Sequence, residues 1–363
     1  MEITRPTVLE IDLSNFKHNV RQIQNYVGKN VKLMPVIKAA AYGTYINKCL
    51  DLINEFDIVA VAVVDEALEL RKLGYKKEIF VLNQPDKNEI EKIINNKITV
   101  GVSTLGFLEE LGRQEEKVKI HIEIGTGMGR TGINPIRVEE YIEEVKKYSN
   151  IEIEGMYTHL SSADIDFEYT ERQLKSFKNA VEKAKNILGE LKYIHCSASN
   201  GILNFPDSYY NLVRPGIILY GYESCSGAIE KLDLKPICKF KSKITFLKEV
   251  ESNTSIGYSR SYVTNKKTKV ATIPVGYADG LKRTLSNKGE VVINGKKVPI
   301  IGSVCMDSFM ADVTDLEDVS IGDDVYIWDN EKITIEEIAK KCDTINYEII
   351  CTVSYRVPRV FLN

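Results

Sequence analysis

Short apolar runs recur along the first two thirds of the chain, at 33–37, 58–64, 79–82, 98–102, 118–124, 151–157, 193–196 and 212–219. Between them lie segments whose apolar positions repeat at helical spacing, at 14–26, 65–73, 87–95, 138–147 and 169–188, the first with Ser14 placed as its N-cap. The runs are β-branched and too short for helices, so they predict strands. Strands that alternate with helices imply a parallel sheet. Eight such units in about 210 residues predict a closed (β/α)8 barrel of the TIM type, with a doubly wound open sheet as the alternative.

After residue 232 the pattern changes. Strand-like runs at 238–250, 269–275, 290–293, 298–301, 309–313 and 324–328 follow one another, with a turn at Asn294-Gly295 and a single clear helix at 335–341. Two domains are therefore expected: residues 1–230 as the barrel, with about the first ten residues open to joining the other part, and residues 231–363 as a β-rich domain.

Composition narrows the partners. Of the 363 residues, 44% are hydrophobic and 27% charged, which suits a soluble globular protein. The net charge of −3 gives no reason to expect nucleic acid or an anionic membrane, which leaves small molecules. No apolar stretch approaches the roughly 20 residues of a membrane span. Met1-Glu2-Ile3-Thr4-Arg5-Pro6 lacks the basic start and apolar block of a signal peptide, so a cytoplasmic location is expected. The seven cysteines are scattered without a Cys-x-x-Cys pair and the four histidines are dispersed, so no metal site is predicted.

The loops that follow successive barrel strands converge on one face. After the first strand come Lys38 and Tyr42; after the fifth, Gly125-Thr126-Gly127-Met128-Gly129-Arg130. The sixth supplies Thr158-His159, the seventh Ser197-Ala198-Ser199-Asn200-Gly201, and the eighth Arg214-Pro215-Gly216-Ile217. A lysine at a strand end, in a partly apolar pocket, is suited to a Schiff base or to proton transfer. Hydroxyls and glycine N–H groups suit a phosphate. Together they describe a pyridoxal phosphate site. Singly, each has an ordinary structural alternative: a strand-capping lysine, a core histidine, a plain glycine turn, a serine helix cap or a surface arginine.

The stretches Val36-Ile37-Lys38-Ala39, Ala41-Tyr42-Gly43, Thr126-Gly127-Met128-Gly129-Arg130, Tyr157-Thr158-His159, Asn211-Leu212-Val213-Arg214, Gly257-Tyr258-Ser259-Arg260, Val275-Gly276-Tyr277-Ala278-Asp279-Gly280, Cys305-Met306-Asp307 and Ser354-Tyr355-Arg356-Val357-Pro358-Arg359 resemble the motifs of the alanine racemase family. These are pyridoxal phosphate enzymes of fold type III, and the likeness runs from end to end of the chain. The resemblance implies that Lys38 holds the cofactor covalently and is one proton-transfer base. Tyr258 would be the other, supplied by the second subunit of a head-to-tail homodimer. Arg214 would face the pyridine nitrogen with His159 behind it, and Arg130 would lie against the phenolic oxygen. Tyr42, Ser199, the Gly216 and Ile217 N–H groups and Tyr355 would hold the phosphate. Met306, from the partner, and Arg130 would meet the substrate carboxylate, with Tyr277, Asp307 and Asp164 near the entrance.

The chain departs from that family in places. Glu123 stands where many members carry a lysine that becomes carbamylated, so a pairing of Glu123 with Arg130 or its neighbourhood is expected. Ala40, Thr44 and Tyr45 replace the usual asparagine, histidine and glycine, and Ser303 replaces an arginine two residues before Cys305, which leaves Asp164 without its usual partner. An entrance with one cation fewer could admit ornithine or lysine, whereas the bulk of Tyr355 favours alanine over serine. The leading expectation is an alanine racemase. The alternatives are a racemase of serine or a basic amino acid, a decarboxylase of the same fold, and a non-catalytic vitamin-B6 carrier.

Overall fold

A computed structural model describes residues 4–363; the first three residues of the segment read for a signal peptide, Met1-Glu2-Ile3, lie outside them. The described residues form two compact units, one of residues 17–41 and 45–234, the other of the residues up to Phe16 with Tyr42–Thr44 and Lys235–Asn363.

The first unit holds a six-stranded parallel sheet in sequence order, Ile58–Val61, Glu78–Val81, Thr99–Val102, Val118–Glu123, Ile151–Tyr157 and Tyr193–His195. The remaining two predicted strands do not extend this sheet. They stand as a short parallel pair, Lys32–Leu33 with Leu212–Val213. Single parallel bridges, Val36 to Ala60 and Ala198 to Arg214, lead from this pair to either edge of the six-stranded half-barrel. Proline explains both shortened strands, because it has no N–H to give a ladder. Pro35 interrupts the first, and Pro215 ends the other ahead of a buried 3-10 turn at Ile217–Tyr220 where the sequence predicts continued strand. Every residue of Ile58–Val61 and Thr99–Val102 is buried, as strands covered on both faces must be. Helices lie between successive strands, among them Val64–Leu73, Leu105–Gly112, Val138–Val145 and Phe167–Leu188.

The second unit is built on a nine-stranded sheet. Its segment Val8–Asp12 pairs antiparallel with Cys238–Lys243 and parallel with Arg359–Leu362, so residues near both ends of the described chain share one sheet. The single strand predicted over 238–250 is two, Cys238–Lys243 and Phe246–Val250. The break falls where the chain changes neighbours, since the first half pairs with Asp324–Trp328 and the second with Thr268–Ile273. Ile335–Lys341 is a helix, as its periodicity predicts. Ser14 is not an N-cap: it lies within the helix Leu13–Val27, and Asp12 caps instead, its Oδ1 accepting from Asn15 N–H at 2.9 Å and from Ser14 Oγ at 2.6 Å. Among the described residues no helix is long and apolar enough to cross a membrane.

Candidate active site

Lys38 is delivered by the first strand of the half-barrel unit, where Ile37 N–H donates to the Ala60 carbonyl at 2.9 Å. Beyond it the backbone turns left-handed: Ala39, Ala40 and Ala41 have φ of 53°, 52° and 53° with ψ of 51°, 46° and 56°. A Cβ in this region costs roughly 1–2 kcal/mol per residue, so such a turn persists only where its surroundings hold it. Glu66 is one such hold. Its Oε1 accepts from Ala39 N–H at 2.5 Å and its Oε2 from Ala62 N–H at 2.8 Å, which ties the residue after Lys38 to the loop that follows the next strand.

Arg214 is 2% exposed and its guanidinium is almost fully engaged. Nη1 donates to His195 Nδ1 at 2.6 Å and to the His195 carbonyl at 3.0 Å. Nη2 donates to the Thr158 and Cys196 carbonyls at 2.8 and 3.1 Å and lies 3.3 Å from His159 Nδ1. Of the five N–H groups of a guanidinium, only that on Nε has no acceptor among the described residues. Every partner is a neutral acceptor, and burial draws the arginine below its ordinary value. His159 is pushed down to about 3 by burial and then by the charges of Arg214, Arg130 and Lys38, so it is a neutral ring at physiological pH. The charges of Arg214, Arg130 and Lys38 thus all act on this one imidazole.

Glu123 is buried at the end of its strand, with Oε2 accepting from Ser103 Oγ at 2.9 Å and Oε1 from Thr131 Oγ1 at 2.8 Å. It makes no ion pair with Arg130, which is exposed and hydrogen-bonds to no described residue. Glu123 thus engages the neighbourhood of Arg130 through Thr131, the next residue, rather than Arg130 itself, and takes a second hydroxyl bond from Ser103. The carboxylate finds its acceptor role satisfied by hydroxyls from the loops after Thr99–Val102 and after its own strand. Ser103 and Thr131 carried no motif signal and were missed.

A hydroxyl and backbone N–H groups gather after the strands Tyr193–His195 and Leu212–Val213. Ser199 is buried at the first position of the helix Ser199–Asn204, and its Oγ accepts from Gly216 N–H at 3.1 Å. Ile217 opens the 3-10 turn Ile217–Tyr220, where the first N–H groups have no partner within the turn. Asp164 is exposed and makes no ion pair among the described residues.

In the β-rich unit, Tyr42 is buried with its ring 6.0 Å from that of Tyr347, and burial raises its phenol. Tyr258, Tyr277, Met306 and Tyr355 are instead exposed, at 70%, 43%, 52% and 87%. Tyr258 sits on a strained turn, with Gly257, Ser259 and Arg260 at φ of 75°, 57° and 52°. Ser303 supports that turn, its hydroxyl donating to the Tyr258 carbonyl at 3.3 Å and meeting Ser261 Oγ at 2.9 Å. A second set of bonds fixes the loops that carry Met306 and Tyr355. Buried Asp279 binds Arg5 at 2.7 Å and Arg356 at 2.6 Å, and Arg356 also reaches Asp307 at 2.6 Å. Ala278 N–H donates to the Met306 carbonyl at 3.0 Å. No cluster of three or more His, Cys, Asp or Glu side chains is placed to hold a metal ion among the described residues.

Comparison with known proteins covers nearly the whole chain. Residues 11–224 match the family domain described as "Alanine racemase, N-terminal domain" and residues 237–361 the one described as "Alanine racemase, C-terminal domain". The chain is 42% identical to an alanine racemase of Halothermothrix orenii over 99% of this chain and 98% of the relative. It is 40% identical to alanine racemase 2 of Caldanaerobacter subterraneus subsp. tengcongensis over 99% and 95%. A solved alanine racemase of Clostridium difficile 630 superposes with a TM-score of 0.94 at 36% identity, covering 99% of this chain and 97% of that one.

Proposed function

The chain belongs to the alanine racemase family, and from that premise we propose that it interconverts L- and D-alanine with pyridoxal phosphate, using Lys38 and Tyr258 as its two proton-transferring groups. When bound, the cofactor supplies the electron sink that makes the amino acid's Cα proton acidic. The residues fit that group. The observation that carries the reading is Arg214: a buried arginine with four N–H groups spent on neutral acceptors and Nε–H left over is suited to face a neutral ring nitrogen. Arginine cannot give up a proton near neutral pH, so a ring nitrogen facing Arg214 would stay unprotonated and the sink would stay weak. A weak sink suits racemisation, which needs only brief loss of one proton, and disfavours side reactions.

His159 stands behind Arg214 as a neutral ring, and Ser199 with the Gly216 and Ile217 N–H groups would hold the phosphate, the role that the family likeness also gives to Tyr42 and Tyr355. Arg130 would lie against the bound cofactor's phenolic oxygen and, with the Met306 backbone of the partner subunit, would meet the substrate carboxylate. Lys38 and Tyr258 act on opposite faces of Cα: one removes the proton, the other returns it on the far side, and the configuration inverts. The exposure of Tyr258, Tyr277 and Met306 supports a head-to-tail homodimer in which they serve the partner subunit's site. Asp307, held by Arg356, and Asp164 stand near the entrance. A cytoplasmic location belongs to the same proposal.

The test is a chiral-chromatography screen of L-amino acids in deuterium oxide with purified protein supplied with pyridoxal phosphate. Alanine should turn over fastest, with deuterium at Cα of both enantiomers. Faster turnover of serine, ornithine or lysine would move the specificity, and release of carbon dioxide would make the enzyme a decarboxylase. Bound cofactor with no exchange on any amino acid would leave only a vitamin-B6 carrier.

A further inference from the structure

The interior of the half-barrel is not filled by apolar side chains alone. A line of polar groups crosses it from Arg214 to the opposite end of the strands. Arg214 Nη1 meets His195 Nδ1 at 2.6 Å, His195 Nε2 meets His121 Nδ1 at 2.9 Å, and His121 Nε2 faces Glu154 Oε2 at 3.7 Å. Glu154 Oε1 then binds Lys119 at 2.6 Å and Lys192 at 3.0 Å, both near the strand starts. His121 and His195 are fully buried and the Glu154 side chain is 1% exposed.

The direction of every proton on this line is dictated by its two ends. Arginine only donates, so His195 Nδ1 must be an acceptor and the single proton of a neutral His195 ring must sit on Nε2. That proton faces His121 Nδ1, which must accept, and the His121 proton therefore sits on Nε2, facing Glu154. At 3.7 Å this last contact is longer than a direct hydrogen bond. His121 Nε2 and Glu154 Oε2 are both buried and have no hydrogen-bond partner elsewhere among the described residues, so each is the other's only counterpart. Burial draws both imidazoles below their ordinary values, and neither carries a second proton. Burial alone would raise Glu154, but His121, Lys119 and Lys192 outweigh it and bring the carboxyl down to about 2, so it is an anion and can only accept. The rings cannot readily turn over: His195 is stacked on Tyr157 at 5.1 Å and 9°, and His121 on Phe80 at 4.4 Å.

We propose that Glu154 is a positioning residue for the reaction: it fixes the tautomers of His121 and His195 and thereby holds Arg214 with its Nε–H as the one donor toward the mouth of the half-barrel. The inference rests on the reading of Arg214 as the residue that faces the cofactor, but its primary test needs neither cofactor nor turnover. The chain has four histidines, so a histidine-15N-labelled full-length protein gives a sparse long-range 1H–15N spectrum. In the wild type, His121 and His195 should both be neutral with the proton on Nε2. In Glu154→Gln the amide oxygen is claimed by Lys119 and Lys192, which turns the amide N–H groups toward His121. His121 should then carry its proton on Nδ1 or exchange between tautomers, and the His195 signals should move with it.

A wild-type spectrum with either ring charged or protonated on Nδ1 would overturn the proposal, and so would unchanged tautomers in Glu154→Gln. Should that variant not fold, the wild-type spectrum decides alone. In the loaded enzyme, Glu154→Gln should lower kcat on the order of tenfold with little change in KM, and Glu154→Asp should recover part of it. Altered tautomers with unchanged kcat would remove the link to Arg214. Tautomers as expected in a protein without racemase activity would instead overturn the proposed function and leave the relay standing.

Discussion

Glu66 Oε1 accepts a hydrogen bond from the Ala39 N–H at 2.5 Å, one residue beyond Lys38, while its other oxygen holds the Ala62 N–H at 2.8 Å. Hydrogen bonds from backbone to a carboxylate contribute about 1.5–3 kcal/mol, enough to offset much of the left-handed strain in the turn. Glu66→Ala should therefore lower the thermal midpoint by several degrees and loosen Lys38, seen as a smaller fraction of protein that retains pyridoxal phosphate through gel filtration. Glu66→Gln keeps one acceptor and should lie between. Full retention of the cofactor by Glu66→Ala would mean that the turn is held from elsewhere.

Ala40 is the member of the turn best placed to relieve strain, with φ of 52° and ψ of 46°. Asparagine tolerates this region better than alanine, because its short polar side chain bonds locally. Ala40→Asn should raise stability by up to about 1 kcal/mol in chemical denaturation, and Ala40→Val should lower it by more than that. Destabilisation by asparagine would show that packing at this partly buried site outweighs the backbone.

The strand ends around Lys38 were legible in the sequence, because they are marked by where apolar runs stop, but the left-handed turn after it was not. Lys38, Thr158-His159 and Ser199 follow runs of that kind, whereas Arg214 lies inside the run predicted over 212–219. The length of those strands was less legible: Pro35 and Pro215 remove ladder donors inside runs that look continuous, so the sheet proper has six strands. The fate of Glu123 depended on Ser103 and Thr131, hydroxyls 20 and 8 positions away that no local pattern singles out. The polar line through the interior did leave a signal. Lys119, His121 and Glu123 alternate with Val118, Ile120 and Ile122, and a strand puts every second residue on one face. Dispersal along the sequence made His121 and His195 look unrelated, when strands two apart in the half-barrel bring them to 2.9 Å.

Glu123 supplies its negative charge without any modification, so the activity should not respond to bicarbonate. Added bicarbonate, or removal of dissolved carbon dioxide, should leave kcat and KM unchanged for the wild type. Glu123→Lys would put a further cation near Arg130 and Arg214, with only carbamylation to restore an acceptor, and its activity should become dependent on bicarbonate. Dependence in the wild type would point to a different carbamylated group.

Tyr258 should be needed for one direction of proton transfer more than for folding, since its side chain is 70% exposed and its backbone is held by Ser303. Tyr258→Phe should keep the thermal midpoint within a degree or two and lose racemisation by at least about 10²-fold, the usual contribution of a general acid or base. Exchange of the Cα proton of one enantiomer should survive through Lys38 while that of the other is lost. Equal loss from both enantiomers would assign Tyr258 to binding instead.

Three histidines, the buried His121 and His195 and the partly buried His159, set how the fold responds to acid. His159 is pushed down to about 3, and burial also draws His121 and His195 below their ordinary values. In the unfolded chain each titrates near 6.5. Between the unfolded and folded values the unfolded chain binds more protons, so stability is full above about pH 6.5 and is lost progressively on acidification, by about 1.4 kcal/mol per pH unit for each such proton. Glu154 adds a separate loss at lower pH: its carboxyl is brought down to about 2, so its contribution is complete only above its unfolded value of 4.5 and fades as pH falls toward the folded one. Isothermal denaturation at pH 7, 6 and 5 should therefore show falling stability well above the carboxylate range, and His159→Asn should reduce the slope by about one proton's worth. A flat profile from pH 7 to 5 would mean that the three rings are hydrated enough to take up protons in the folded state.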